Sequence, residues 1–342
     1  MDTSDLRARI KDRVLGGSYI FGGEEDYLVR YYLGQIASAV GESSPFAVFN
    51  NLYFDGDGVD FGAIAEAIKS PPVMDEYKLI LWRHADFTSM KDKELDALEE
   101  VLKLASEHSY AVVAIGAVVD GIDYGSPKRP SKFVQRFEKY SNIFRFDKST
   151  ENQLMAWLKK HFDAEGVTVT ADTLRALIFR SGRSMEVLVR EVGKLAALYH
   201  SRGLSSLTPK EVEEVASSTP ECETFALQNA ITERNKPKAY DALADMKFRR
   251  IDPTVVMANV SRSFSELLAV ALMLEEGKES SDIESALKIS PYKAKHIITA
   301  AKKYGADRLR CAVSTLSRVD ADSKYGGVMG YTAIELFISQ NL

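Results

Sequence analysis

The sequence predicts an N-terminal α/β domain with a mainly parallel sheet, then a small helical domain, then an all-helical final third. Three observations carry this. Short apolar runs rich in β-branched residues alternate with amphipathic segments through the first 147 residues, the pattern of strands buried on both faces and joined by helices. No convincing strand follows Phe146. Beyond it, helix-start signals recur at short intervals.

Taken in order, the N-terminal MDTSDLRARIKDRVLGG is charged and helical in pattern and lacks the apolar core of a signal peptide. Strands are expected at Ser18–Phe21, Phe46–Tyr53, Lys78–Arg83, Tyr110–Ala117 and Ile143–Phe146. Between them lie expected helices at Asp26–Ala39, Phe61–Ile68, Glu94–Ala105 and Ser131–Tyr140. Thr150 and Gln153 make a capping box ahead of an apolar stripe of Leu154, Trp157 and Leu158, and Gly166 reads as the stop. A second helix starts near Thr170 with Leu174, Leu177 and Ile178 on one face, and a third carries Leu188, Val192 and Leu195. Thr208 and Pro209 open a further helix, TPKEVEEV, and this helical domain ends near Ser218. STPECETF reads as a linker. Asp252–Pro253 and Ser290–Pro291 then read as helix starts, and Val256, Val260, Phe264, Leu267 and Leu268 form one stripe.

The bulk numbers bound the function. A chain of 342 residues holds two or three domains, and 45% hydrophobic residues suffice for packed cores. The net charge is -5, so no global basic field is available for nucleic acid. The two cysteines, Cys222 and Cys311, lie far apart with no Cys/His cluster, which argues against structural zinc and fits a reducing cytoplasm. No apolar run long enough for a membrane span is evident.

The opening YIFGGEEDYLV reads as strand, Gly22–Gly23 turn and helix, the place for a phosphate-binding loop. A working loop needs a Lys for the phosphates and a hydroxyl for Mg²⁺. This one offers Glu24, Glu25 and Asp26, which favour a helix N-terminus and repel a triphosphate. The strand KLILWRHAD likewise ends in Arg83 and His84, with Asp86 lacking a neighbouring Glu, so the groups for phosphoryl transfer are not assembled. No cofactor, no metal and no intrinsic catalytic site are expected.

In AIKSPPVMDEYKLILW, a helix runs into Pro71–Pro72, and Val73 and Met74 come next, before acidic residues and a strand. Apolar side chains in a connecting segment either tuck into their own core or serve as exposed anchors for a partner. Basic clusters at Lys128, Arg129, Lys132 and Arg136, at Lys159 and Lys160, and at Lys247, Arg249 and Arg250 stand among acidic neighbours and read as solvated surface.

YIFGGEEDYLV, SPPVMDEYKLILW, NIFRFDKSTENQLMAWLKKHF and GRSMEVLVREVGKLAALY, in this order and with a helical final third, resemble the delta subunit of the bacterial DNA polymerase III clamp loader. The similarity spans essentially the whole chain. It implies the AAA+ fold, with a RecA-like domain over residues 1–147, a helical lid over 148–218 and a helical collar over 219–342. It implies a subunit without ATP, part of a DNA polymerase holoenzyme, that grips the sliding clamp (beta subunit) and helps open the ring for loading onto primed DNA in the cytoplasm. Its implied partners are the tau or gamma subunits and delta-prime in a hetero-pentamer, and primer-template DNA through the complex. The family's apolar clamp-contacting pair matches Val73 and Met74 after Pro72, a smaller pair than the Leu–Phe or Phe–Phe common there. Arg183 and Arg190 match the region where ATP-binding relatives sense phosphate, and without nucleotide they are expected to be structural. The alternatives are delta-prime, whose usual cysteine zinc site and Ser-Arg-Cys motif are missing, an atypical AAA+ ATPase, and a DNA-binding adaptor.

Overall fold

In the computed structural model, residues 3–41, 44–126, 128–289, 291–325 and 330–341 are described. The chain divides into two compact units, residues 1–149 and 150–342.

The first unit contains α1 (Thr3–Asp12), β1 (Gly17–Gly22), α2 (Asp26–Val40), α3 (Ala47–Asn50), β2 (Asn51–Asp55), α4 (Phe61–Lys69) and β3 (Lys78–Ala85). It continues with α5 (Asp92–Glu107), β4 (Ala111–Ala117), β5 (Gly125–Ser126), β6 (Arg129–Pro130), α6 (Lys132–Phe137) and β7 (Ser141–Arg145). The main sheet has the order β2-β3-β4-β1-β7, and every pairing in it is parallel. Because side chains alternate along a strand, each central strand feeds two cores. Tyr19, Phe21, Leu79, Leu81, Val112 and Ala114 share one with Val29, Leu33 and Ile36 of α2. Ile20, Ile80, Trp82, Val113 and Ile115 share the other with Ile64 and Ile68 of α4 and Leu98 and Leu102 of α5.

The α/β fold class with a mainly parallel sheet expected from the sequence is therefore the one present, with differences in detail. Of the expected strand Phe46–Tyr53, residues Ala47–Asn50 form the helical turn α3, and pairing begins only at Asn51. The reason is local. The Ser44 hydroxyl accepts from the Phe46 amide at 3.2 Å, and the Ala47 amide donates to the Ser44 carbonyl at 3.0 Å, so the backbone turns before it extends. The small β5–β6 hairpin is too short to leave a periodic signal.

The second unit is helical: α7 (Glu151–Ala164), α8 (Ala171–Ser181), α9 (Met185–Arg202), α10 (Pro209–Val215), α11 (Pro220–Thr232), α12 (Lys236–Phe248), α13 (Pro253–Glu275), α14 (Ser280–Leu287), α15 (Pro291–Tyr304), α16 (Ala306–Lys324) and α17 (Tyr331–Asn341). The capping boxes at Thr150 and Thr208 form as expected, and Gly166 takes a φ of 68° after α7. The expected linker STPECETF is instead a helix start, because Thr219 accepts from the Cys222 amide at 3.2 Å and Pro220 occupies the first helical position. Of the expected start at Ser290–Pro291, Ser290 lies outside the described residues, and α15 begins at Pro291.

Phe179 of α8 packs on the cluster built by α11 to α17, with its ring 5.1 Å from Phe225 and 5.5 Å from Tyr292. α13 is long and apolar enough to cross a membrane by length and composition, and Val256, Val260, Phe264, Leu267 and Val270 along it lie in that same core. Phe264, fully buried, meets Phe337 edge-on at 5.2 Å. Phe264→Ala is expected to cost about 3–5 kcal/mol, read as a lowered urea midpoint at unchanged slope.

Candidate functional site

An exposed apolar tip of the first unit grows from the end of α4. Asp60 caps this helix, accepting from the Gly62 and Ala63 amides at 2.9 and 3.1 Å, and Ile64, Ala67 and Ile68 bury its inner face. Pro71 and Pro72 cannot continue the helix. Its last carbonyls are bonded from outside: Lys78 Nζ donates to the Ser70 carbonyl at 3.1 Å and the Tyr110 hydroxyl to the Lys69 carbonyl at 3.2 Å. Burial pushes the Lys78 ammonium below the usual lysine range.

The turn after this helix leaves Pro72 half-buried and exposes Val73 and Met74, the latter by 80%. The alternative, that the pair tucks into its own core, does not hold. Met74 has a φ of 58°, a left-handed conformation that costs a non-glycine residue about 1–3 kcal/mol. Its neighbours are gripped on both sides. Asn50, 1% exposed at the end of α3, accepts from the Val73 amide at 2.6 Å and donates to the Val73 carbonyl at 2.9 Å and to Asp75 at 2.7 Å. The Ser44 hydroxyl also reaches Asp75, at 2.9 Å. Beside Asn50 in the chain, Val48 and Phe49 are exposed as well. Sequence reasoning misses this support because Asn50 falls inside an expected strand. The available signal is the Ser44–Pro45 pair ahead of it, a turn-initiating dipeptide.

The Gly22–Gly23 turn is closed by the chain itself. The Phe146 amide donates to the Gly22 carbonyl at 2.8 Å, and the Glu25 amide donates to the Phe146 carbonyl at 2.9 Å. The Phe146 ring stacks on Tyr32 at 5.2 Å. Glu25, 3% exposed, meets Lys148 at 3.4 Å. The Glu25 amide at this turn is thus bonded to backbone, and the Glu25 side chain beside it is a buried carboxylate.

At the ends of β3 and β4, a crevice of about 340 Å³ is lined by Asp26, Arg30, Arg83, His84 and Gly116. A bulge between Trp82 and Ala85 turns Arg83 and His84 outward, and His84 Nδ1 lies 2.6 Å from Asp55. Asp86 is absorbed in a local turn, where the Thr88 hydroxyl and amide bonds hold its carboxyl below the usual range. Among the described residues, no group of three or more His, Cys, Asp or Glu could hold a metal ion.

Several of the basic residues are paired. Arg136 binds Glu99 and Asp96, both at 2.6 Å, Lys247 pairs with Glu335, Arg249 with Glu223 and Lys159 with Asp163. Arg190 pairs with Glu186 on its own helix.

Two family descriptions match the chain: "DNA polymerase III, delta subunit" over residues 19–116 and "DNA polymerase III delta subunit, C-terminal domain" over residues 221–341. The chain belongs to the DNA polymerase III delta subunit family. The DNA polymerase III subunit delta of Bacillus subtilis (strain 168) is 24% identical over 332 residues, 95% of this chain and 92% of that protein. The probable delta subunit of Aquifex aeolicus (strain VF5) is 25% identical over 325 residues, 92% and 87% of the two chains. Among solved structures, the B. subtilis DNA clamp loader delta protein superposes with a TM-score of 0.58 at 21% identity, covering 99% of each chain, so the delta fold is shared along the whole length.

Two outcomes are expected for this delta-family chain. ATP with Mg²⁺ should leave its melting temperature unchanged, whereas a concentration-dependent rise would mean that the turn opens to accept phosphate. Gly23 has a φ of 118°, and a Cβ there would lie 2.4 Å from the Phe146 carbonyl oxygen, so Gly23→Ala should destabilise the first unit by about 2 kcal/mol or more, read by urea denaturation.

Proposed function

We propose that this chain is the non-ATP-binding delta subunit of a DNA polymerase III clamp loader, which binds the sliding clamp and opens its ring for loading onto primed DNA. The observation that carries the reading is the exposed Val73–Met74 pair on a tightly bonded turn in a member of the delta family. Pro72 ends the helix, and Val73 and Met74 enter an apolar pocket on the clamp surface. Burying a Val or Met side chain is worth about 1.5–3 kcal/mol, so the pair supplies a real share of a micromolar contact. The energy of loading then comes from elsewhere in the assembly, since this subunit contributes grip and no hydrolysis.

In this reading, residues 148–218 form the lid and 219–342 the collar, through which the chain joins tau or gamma subunits and delta-prime in a cytoplasmic hetero-pentamer. Primer-template DNA is reached through the complex. Exposed ion pairs contribute little stability, and here they neutralise Arg136, Lys247 and Arg249, which speaks against an independent DNA-binding adaptor.

The pair is exposed, so its removal should not unfold the chain. Val73→Ser combined with Met74→Ser is expected to weaken binding to the purified sliding clamp by about 100-fold or more, with a melting temperature close to wild type. Unchanged clamp affinity in a folded double variant would remove the assignment.

A further inference from the structure

The strongest unexplained feature is the amount of bonding devoted to a three-residue turn. Asn50 is enclosed, and both hydrogens of its amide nitrogen and its carbonyl oxygen are committed to residues 73 and 75. The acceptor of its second hydrogen, Asp75, also takes the Ser44 hydroxyl at 2.9–3.0 Å. That hydroxyl in turn accepts from the Phe46 amide, so the network is anchored in the backbone that starts α3. Between the two gripped residues stands Met74, whose left-handed backbone is bracketed by these bonds while its side chain is exposed.

We propose that Asn50 is a positioning residue for clamp binding: with Asp75 and Ser44 it forms a latch that holds Val73 and Met74 in their docking shape before the clamp arrives. The proposal rests on the reading of Val73 and Met74 as the clamp contact and adds the group that shapes them. Asn50 touches no partner itself. It imitates a neighbouring strand, offering one acceptor to the Val73 amide and one donor to the Val73 carbonyl. A free four- or five-residue connection after two prolines samples many turns, and docking would have to order it. A latched turn has lost that freedom on folding, so more of the small Val–Met contact appears as affinity. Met74 gains most, because its left-handed conformation is a minor one in an unconstrained chain.

The chemistry of the latch supplies its own control. Asn50→Asp places a second carboxylate beside Asp75 and removes both donors, so the turn should open. Adding Asp75→Asn to that variant restores the donor–acceptor pair between positions 50 and 75, while the Val73 carbonyl still has no donor from position 50. Two readouts on the full-length chain decide the matter: hydrogen exchange of the Val73 amide without clamp, and binding to purified sliding clamp. Asn50→Asp should expose the Val73 amide and weaken clamp binding about tenfold or more, and the Asn50→Asp/Asp75→Asn exchange should return both part of the way to wild type, with affinity recovering by about threefold or more. Wild-type clamp affinity in Asn50→Asp despite an open turn would overturn the latch alone. So would a swap variant that recovers Val73 protection without recovering affinity. A wild-type chain that protects Val73 but has no clamp affinity would instead overturn the functional reading on which the latch depends.

Discussion

A buried carboxamide must find partners for all its hydrogens, and that constraint at Asn50 shapes the surface of the first unit. Had Asn50 bonded within its own helical turn, the Val73 amide and carbonyl would lose the partners they have in the connection after α4. Its bonds to Val73 and Asp75 couple the α3–β2 segment to the α4–β3 connection. Each segment is short and irregular, and neither has enough apolar burial to define itself. The proline pair ends α4, Lys78 and Tyr110 satisfy its last carbonyls, and the Asn50 network fixes the turn from Val73 to Asp75. The left-handed backbone of Met74 carries strain, and the bonds on Val73 and Asp75 at either side of it hold that conformation.

The other end of the sheet obeys the same hydrogen-bond accounting with an opposite result. A parallel sheet collects its loops at the C-terminal ends of the strands, where α/β proteins bind ligands. Here the extension of β7 returns to that edge and bonds with Gly22 and Glu25, and the Phe146 ring is held against Tyr32. A loop that merely lacked the lysine and hydroxyl of a phosphate site would stand empty. The backbone bonds and buried Glu25 fill it. The C-terminal end of the sheet is thus structural here, while a connection at the opposite end carries the exposed apolar groups.

Much of this is legible in the chain. The two-residue alternation in β1, β3 and β4 and the caps at Thr150, Thr170 and Thr208 are written in residue types whose physics is local. The outward placement of Val73 and Met74 is open to two readings in the sequence, because the turn that carries them is bonded to Asn50, which is more than twenty residues away along the chain. The α3 turn reads as strand because Phe-Ala-Val-Phe satisfies both patterns, and Ser44 decides it. STPECETF reads as a linker because Ser, Thr and Pro punctuate loops and also start helices. In each case the missing information is a side-chain bond, which composition does not reveal.

The central claim, that the turn at Val73 and Met74 is the surface that meets the clamp, is tested most directly by placing a photo-crosslinking side chain at position 74 and illuminating the full-length chain with purified sliding clamp. Val119, equally an exposed apolar residue of the first unit, serves as the control position. The account predicts a covalent chain–clamp adduct from position 74 and none from position 119, with the attachment mapped to an apolar pocket on the clamp. Equal adducts from both positions, or none from position 74 in a mixture where chain and clamp co-elute, would contradict it.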